Sequence, residues 1–326
     1  MNSIILAGGF GTRLKPLTDN VPKPALKIAN RPVLDYVTSQ LKFYGITDAV
    51  FTLGYKPEII REICENYDGI TARFTIEDKP LGTAGAVKAA ANLLDDVFLV
   101  MSGDAISDID LGAMIAAHLS SDNLVTVALT TVPDPRRYGV ARLDGDKIAS
   151  FVEKPADDRY GRLVNAGVYV ADKSVLSLIP QEKQYDFARD LFPKLVGARK
   201  LGAFLHGGYW CDVGDKKSFY EANFYMSDGG FFPFVGSKTV PSVRRNGCLI
   251  GKNAVVTGRA RYSIIGENAA VPSGAEIRDC IVLDGVTVSG THYGEIIGDG
   301  FVEKCRISER FPSLTENFYK EAPAKA

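Results

Sequence analysis

At 326 residues, 46% hydrophobic and 24% charged, the sequence has the composition of an ordinary soluble globular protein with room for two domains. A net charge of -1 gives no global field toward nucleic acid or an anionic membrane, so any anion site must be local. No apolar run reaches bilayer length, the start lacks the basic flank of a signal peptide, and five scattered cysteines without a Cys-x-x-Cys pair give neither a disulfide framework nor a zinc site. The expected compartment is the cytoplasm.

The chain opens with a short apolar strand, Ser3 to Ala7, which runs straight into Gly8-Gly9-Phe10-Gly11-Thr12-Arg13-Leu14 and then Pro22-Lys23-Pro24. Glycines 8, 9 and 11 let backbone N–H groups approach anionic oxygens, and Arg13 adds a permanent charge, so the segment reads as a polyphosphate loop. It is not a Walker loop, because Arg13 and Leu14 stand where the second glycine would fall. Nor is it a dinucleotide fingerprint, because Leu14 replaces the third glycine.

Helical patterns follow near 33 to 44, 57 to 66, 83 to 94 and 110 to 120, separated by strands at Ala49–Leu53, Val97–Met101, Val125–Thr130 and Val168–Val170. Leu34, Val37, Leu41 and Tyr44 form one apolar stripe, as a helix packed on a sheet requires. The alternation predicts an α/β fold with a Rossmann-like mixed, mainly parallel sheet. Asp104 ends an apolar strand at the edge where open α/β sheets bind ligands. Tyr138–Leu143 and Lys147–Val152 flank Asp144-Gly145 as a hairpin inserted after a core strand. Thr83 reads as a cap of the helix it opens. Lys216–Met226 reads as a closing helix.

Beyond a linker the texture changes. Ile250-Gly251 recurs as Ile265-Gly266 and is echoed at Leu283 and Ile297, and Val271 and Ile277 stand between Ile265 and Leu283, giving an apolar residue every sixth position over that 18-residue step. Three hexads make one triangular coil with the apolar position inside. The other steps, 15 and 14 residues, depart from strict hexads. The expected domains are 1–228 (catalytic), 229–241 (linker), 242–310 (short left-handed parallel β-helix) and 311–326 (tail), an all-β hairpin domain being the alternative for the third. Stacking edges of such a solenoid suit homo-oligomerisation.

The run G-G-x-G-T-R-L-x-P-L-T followed by P-K-P resembles the signature of the sugar-1-phosphate nucleotidyltransferases, the nucleotide-sugar pyrophosphorylases, and within them the mannose-1-phosphate guanylyltransferase branch. The similarity continues through Asn30-Arg31-Pro32-Val33-Leu34 to about residue 224, and the C-terminal repeat extends it. It implies transfer from a nucleoside triphosphate, GTP favoured, to a sugar 1-phosphate, mannose 1-phosphate favoured, with pyrophosphate released. By the same resemblance Arg13, Lys23 and Lys154 are the catalytic cations, and Leu6, Ala7, Gly8, Gly9, Gly11, Thr12, Arg13, Gly82 and Thr83 hold the nucleotide. Gly139, Glu153, Lys154 and Asn165 hold the sugar phosphate, and Asp104 and Asp212 hold Mg²⁺. Glu77 is either a base contact or a strand-end glutamate. UTP or dTTP with glucose 1-phosphate, and GTP with a heptose 1-phosphate, use the same loop, and a non-catalytic regulatory or assembly subunit would share the layout. His118, His206 and His292 match no site of the family, and no G-x-S-x-G elbow is present.

Overall fold

A computed structural model describes residues 1–77, 79–227 and 242–305. These fall into two compact units, one holding Met1–Ala222 and the other residues 223–227 and 242–305. The expected linker 229–241, residues 306–310 and the tail 311–326 lie outside the described residues.

In the first unit the strands are β1 (Ser3–Leu6), β2 (Lys27–Ile28), β3 (Arg31–Pro32), β4 (Asp48–Leu53), β5 (Thr71–Ile76), β6 (Val97–Ser102) and β7 (Ala105–Ser107), then β8 (Val125–Thr131), β9 (Gly139–Asp144), β10 (Lys147–Glu153), β11 (Leu163–Asp172), β12 (Leu201–Leu205) and β13 (Trp210–Asp212). The α-helices are α1 (Val33–Phe43), α2 (Pro57–Glu65), α3 (Gly82–Ala89), α4 (Leu111–Leu119), α5 (Phe192–Gly197) and α6 (Lys216–Ser227), the last crossing the division between units. None is long and apolar enough to cross a membrane.

One nine-stranded sheet runs in the order β5-β4-β1-β6-β11-β8-β12-β10-β9. Strands β5, β4, β1 and β6 are parallel, as are β8 and β12. Strand β11 runs against both β6 and β8, and β10 against β12 and β9. The expected mainly parallel sheet is therefore parallel through its first half and mixed through its second. The cause is connection length: helices α1 and α2 return the chain to the same edge, whereas the tight turn between β9 and β10 can only reverse it.

Alternation along the strands sends neighbouring residues to opposite layers. Ile4, Val50, Phe98, Val100 and Val127 pack with Ala84 and Val87 of α3 and Phe192 and Leu195 of α5. Ile5, Phe51, Leu99, Met101 and Ala128 pack with Leu34, Val37 and Leu41 of α1, Ile60 of α2 and Met114 of α4. Both faces are thus covered, which leaves the strand ends to carry polar chemistry.

The second unit has three parallel ladders. Strand Cys248–Ile250 pairs with Ile264–Ile265, then Ile281–Val282, then Glu295–Gly298. Val255–Val256 pairs with Ala270–Val271, and Arg259–Arg261 pairs with Glu276–Arg278, which pairs in turn with Thr291–Tyr293. Ile265, Val271, Ile277, Val282, Val288 and Ile297 fill the inside. The expected 18-residue register is corrected here: Ile265 stacks on Val282, 17 residues on, instead of Leu283. Steps of 15 residues link Leu249 to Ile264 and Ile281 to Ile296. Antiparallel strands Val243–Arg245 and Phe301–Lys304 close the two ends of the first ladder.

Candidate active site

Strand β6 ends at Ser102, and Gly103-Asp104 turns the chain into β7, which pairs antiparallel with β13 so that Ala105 faces Asp212. Val213 N–H donates to the Asp104 carbonyl at 3.1 Å. That register sets two carboxylates from distant strands side by side. Between them lies Lys23, whose Nζ donates to Asp104 Oδ2 at 2.6 Å and to Asp212 Oδ1 at 2.8 Å. Pro22 and Pro24 fix the backbone around this lysine in a short 3₁₀ turn. Lys23 is only 7% exposed. Burial works against its ammonium, but the two carboxylates outweigh burial and hold its pKa above the ordinary lysine value.

The glycine loop presents Arg13. Gly11 has φ +61°, and a Cβ there would sit 3.0 Å from Thr18 Cγ2. Its carbonyl accepts from Leu14 N–H at 3.0 Å and from Thr18 Oγ1 at 2.9 Å. Arg13 is exposed, has no hydrogen-bond partner among the described residues, and is close enough to favour the charged form of Asp212. At the far end of the same edge Glu77 Oε2 accepts Leu81 N–H at 3.0 Å, and burial raises the pKa of this carboxyl. Glu77 Oε1 lies 3.3 Å from where a Cβ on Gly8 would stand.

A cavity of about 370 Å³ opens over these groups. Arg13, Lys23, Asp104 and Asp212 line it together with Thr83, Gly139, Glu153, Lys154 and Asn165. Leu6, Ala7, Gly8, Gly9, Gly11, Thr12 and Gly82, named in the sequence as nucleotide-binding, are not among its lining residues. Lys154 closes β10 with φ +48°, a left-handed conformation that costs an ordinary side chain on the order of 1 kcal/mol. Its N–H donates to the Tyr138 carbonyl at 2.9 Å, and its Nζ lies 3.4 Å from Glu153 Oε1. Asn165 begins an irregularity in the β8–β11 pairing. Its Nδ2 donates to the Tyr169 hydroxyl at 2.8 Å, and its Oδ1 accepts Gly167 N–H at 2.8 Å. Trp210 Nε1 donates to the Ala166 carbonyl at 2.8 Å, and Tyr138 meets the Trp210 ring edge-on at 5.3 Å.

The expected helix cap at Thr83 is corrected by the structure. Gly82 has φ +73°, and its close approach is to the Tyr185 backbone, whose carbonyl oxygen would lie 2.7 Å from an added Cβ. Thr83 does not cap α3 with its side chain. Its N–H and Oγ1 donate to Asp186 Oδ1 at 3.1 and 3.2 Å, and Oγ1 accepts Phe187 N–H at 3.0 Å. The N–H groups of Ala84 and Gly85 both donate to the Tyr185 carbonyl at 2.9 Å. Asp186, Ala188 and Arg189 are part of the cavity wall, as are Arg137, Ser102 and Trp210, none of which the sequence reading singled out as site residues. A π-helical turn at Phe187–Leu191 presents Ala188 and Arg189. Such a turn leaves no periodic trace in a sequence.

Residues 2–228 match the family profile described as nucleotidyl transferase. The chain belongs to this family. Among its relatives, the mannose-1-phosphate guanyltransferase of Debaryomyces hansenii is 38% identical over 228 residues, covering 67% of this chain and 62% of that protein. The mannose-1-phosphate guanyltransferase 2 of Candida glabrata is 34% identical over 270 residues, covering 80% of this chain and 73% of that protein. The chain therefore spans about six tenths to seven tenths of the length of these family members. Crystal structures of HddC from Yersinia pseudotuberculosis, alone and complexed with GMP-PN, share the fold with TM-scores of 0.61 and 0.60 at 32% and 31% identity, each covering 69% of this chain and 99% of HddC.

Proposed function

We propose that the chain transfers a nucleotidyl group from GTP to mannose 1-phosphate, giving GDP-mannose and pyrophosphate. The observation that carries this reading is the convergence of Arg13, Lys23 and Lys154 with Asp104 and Asp212 on one cavity. An oxygen of the sugar phosphate attacks the α-phosphorus of the triphosphate; the new P–O bond forms as the bond to the bridging oxygen breaks, and that electron pair leaves with pyrophosphate. Both reactants are anions, so repulsion is the main obstacle. Unit charges about 4 Å apart interact by roughly 4 kcal/mol at an effective dielectric near 20, so a few fixed cations offset much of it.

Lys154 holds the acceptor phosphate, and the cost of its left-handed backbone is consistent with a side chain held where chemistry needs it. Arg13 steadies charge on the departing pyrophosphate. Glu153 and Asn165 orient sugar hydroxyls, so the reaction needs positioning and charge more than covalent help. Asp104 and Asp212 suit Mg²⁺: their oxygens are hard donors, the gap between them already accepts the cationic Lys23 Nζ, and Mg²⁺ uses one or two carboxylates with phosphate oxygens and water. Among the described residues no cluster of three His, Cys, Asp or Glu offers an all-protein metal cage. The bound ion would supply neutralisation of phosphate charge.

The names of the fungal relatives and the GMP-PN complex of HddC support the guanine nucleotide and the mannose acceptor. The test is a panel of GTP, UTP, dTTP, ATP and CTP against mannose, glucose and heptose 1-phosphates, with the nucleotide sugar identified by mass spectrometry. GDP-mannose should dominate, and a different dominant product would replace the assignment. For the second unit we infer a short left-handed parallel β-helix that joins copies of this chain. Three parallel ladders around an apolar interior support it.

A further inference from the structure

Two polar residues of the cavity wall take no part in the mechanism above. Asp186 and Arg189 lie three positions apart at the π-helical turn Phe187–Leu191, and both line the cavity. Asp186 Oδ1 accepts both hydrogen bonds from Thr83. Its Oδ2 has no partner among the described residues, and neither has the Arg189 guanidinium. An acceptor-only side chain and a donor-only side chain thus border the same cavity.

The turn that carries them is firmly seated. Phe187 and Leu191 are buried, and the Phe187 ring packs on Tyr169 at 5.1 Å and on Phe192 at 5.8 Å. Leu191 N–H donates to the Asp186 carbonyl at 3.2 Å, and Asp190 Oδ2 accepts Asp186 N–H at 2.7 Å. Tyr169 in turn receives the Asn165 amide. Asp186 thus shares a rigid platform with a residue already assigned to the sugar side. Wide turns of this kind recur at functional sites.

A carboxylate is a poor neighbour for phosphate oxygens and a good one for hydroxyl hydrogens. We propose that Asp186 Oδ2 accepts a hydrogen bond from one hydroxyl of the hexose and Arg189 donates to the hydroxyl beside it, so that the pair selects the sugar by its vicinal diol. This inference rests on the sugar 1-phosphate reading above. A site that supplies such partners discriminates strongly against a ligand lacking the group, because its own polar atoms are then left unmatched.

Calorimetric titration tests it without requiring turnover. The full-length protein, saturated with Mg²⁺ and a GTP analogue that cannot be cleaved between the α and β phosphates, is titrated with mannose 1-phosphate, with its 2-, 3- and 4-deoxy forms, and with inorganic phosphate. Asp186→Asn and Arg189→Gln should each weaken mannose 1-phosphate roughly tenfold or more. Inorganic phosphate should be unaffected, and for one deoxy form the substitution should cost almost nothing further. Equal affinities in wild type and both variants would overturn the inference alone, as would losses of the same size for phosphate and every sugar. The deoxy series on the wild-type protein is independent of any folding defect, and a series in which no single hydroxyl matters would also overturn it. Wild-type protein that binds no hexose 1-phosphate would overturn this inference together with the function on which it rests.

Discussion

Lys154 shows the site at the scale of one residue. Its φ of +48° is unfavourable for lysine and tolerable for asparagine, so Lys154→Asn separates backbone strain from charge. The variant should melt at the same temperature or higher while turnover falls roughly 100-fold, the usual cost of losing one group that stabilises transition-state charge. A loss of stability in step with activity would make Lys154 a structural residue. At this scale Lys23 stood out through the prolines on either side of it, whereas Lys154 was named only through the family resemblance. The packing that demands a glycine at position 82 was not legible, because it comes from the Tyr185 backbone about a hundred positions away. Nothing near Gly82 in sequence records that contact.

At the scale of elements, helix α4 is docked on β8 through His118, which is 4% exposed and whose Nδ1 lies 2.9 Å from Thr126 Oγ1. Burial lowers the His118 pKa, with Asp172 opposing. In the unfolded chain a histidine binds its proton near pH 6.5, above the folded value, so this group's contribution is fully present above about pH 6.5 and falls as the solution is acidified toward the folded pKa. Thermal melts from pH 7.5 to 5.5 should therefore fall more steeply for the wild type than for His118→Gln, and parallel slopes would remove His118 from the acid response. Helices were legible as elements because a stripe such as Leu34, Val37, Leu41 repeats at the helical period. Strand β5 was missed although Thr71–Ile76 alternates polar and apolar residues: at the edge of the sheet and buried fully at no position, it lacks the continuous apolar run by which β4 and β6 were recognised. The π-helical turn escaped for another reason: its buried anchors Phe187 and Leu191 stand four apart, as on an ordinary α-helix, so nothing in the spacing marks the wider turn.

For the whole molecule, the repeat at Ile250, Ile265 and Ile297 was legible and its first step of 15 residues was read correctly, but fitting hexads placed the next position at Leu283 instead of Val282 and so turned steps of 17 and 15 into 18 and 14. Light scattering on the full-length chain at micromolar concentration should give a dimer or larger, and a monomer would end the assembly role proposed for the second unit. Asp104 could be placed from the apolar strand before it, but Asp212 and Lys154 only from the family resemblance; what sets Asp104 beside Asp212 is the β7–β13 ladder, a pairing of distant segments. The central claim is that this convergence performs nucleotidyl transfer. The most direct test is magnesium-dependent pyrophosphate release from GTP and mannose 1-phosphate by the wild type and by Asp104→Asn, read beside a melting curve of each. We expect one pyrophosphate per GDP-mannose from the wild type and a loss of roughly 100-fold or more in a variant that remains folded; no pyrophosphate from any nucleotide and sugar phosphate pair, or equal rates in the two proteins, would contradict the account.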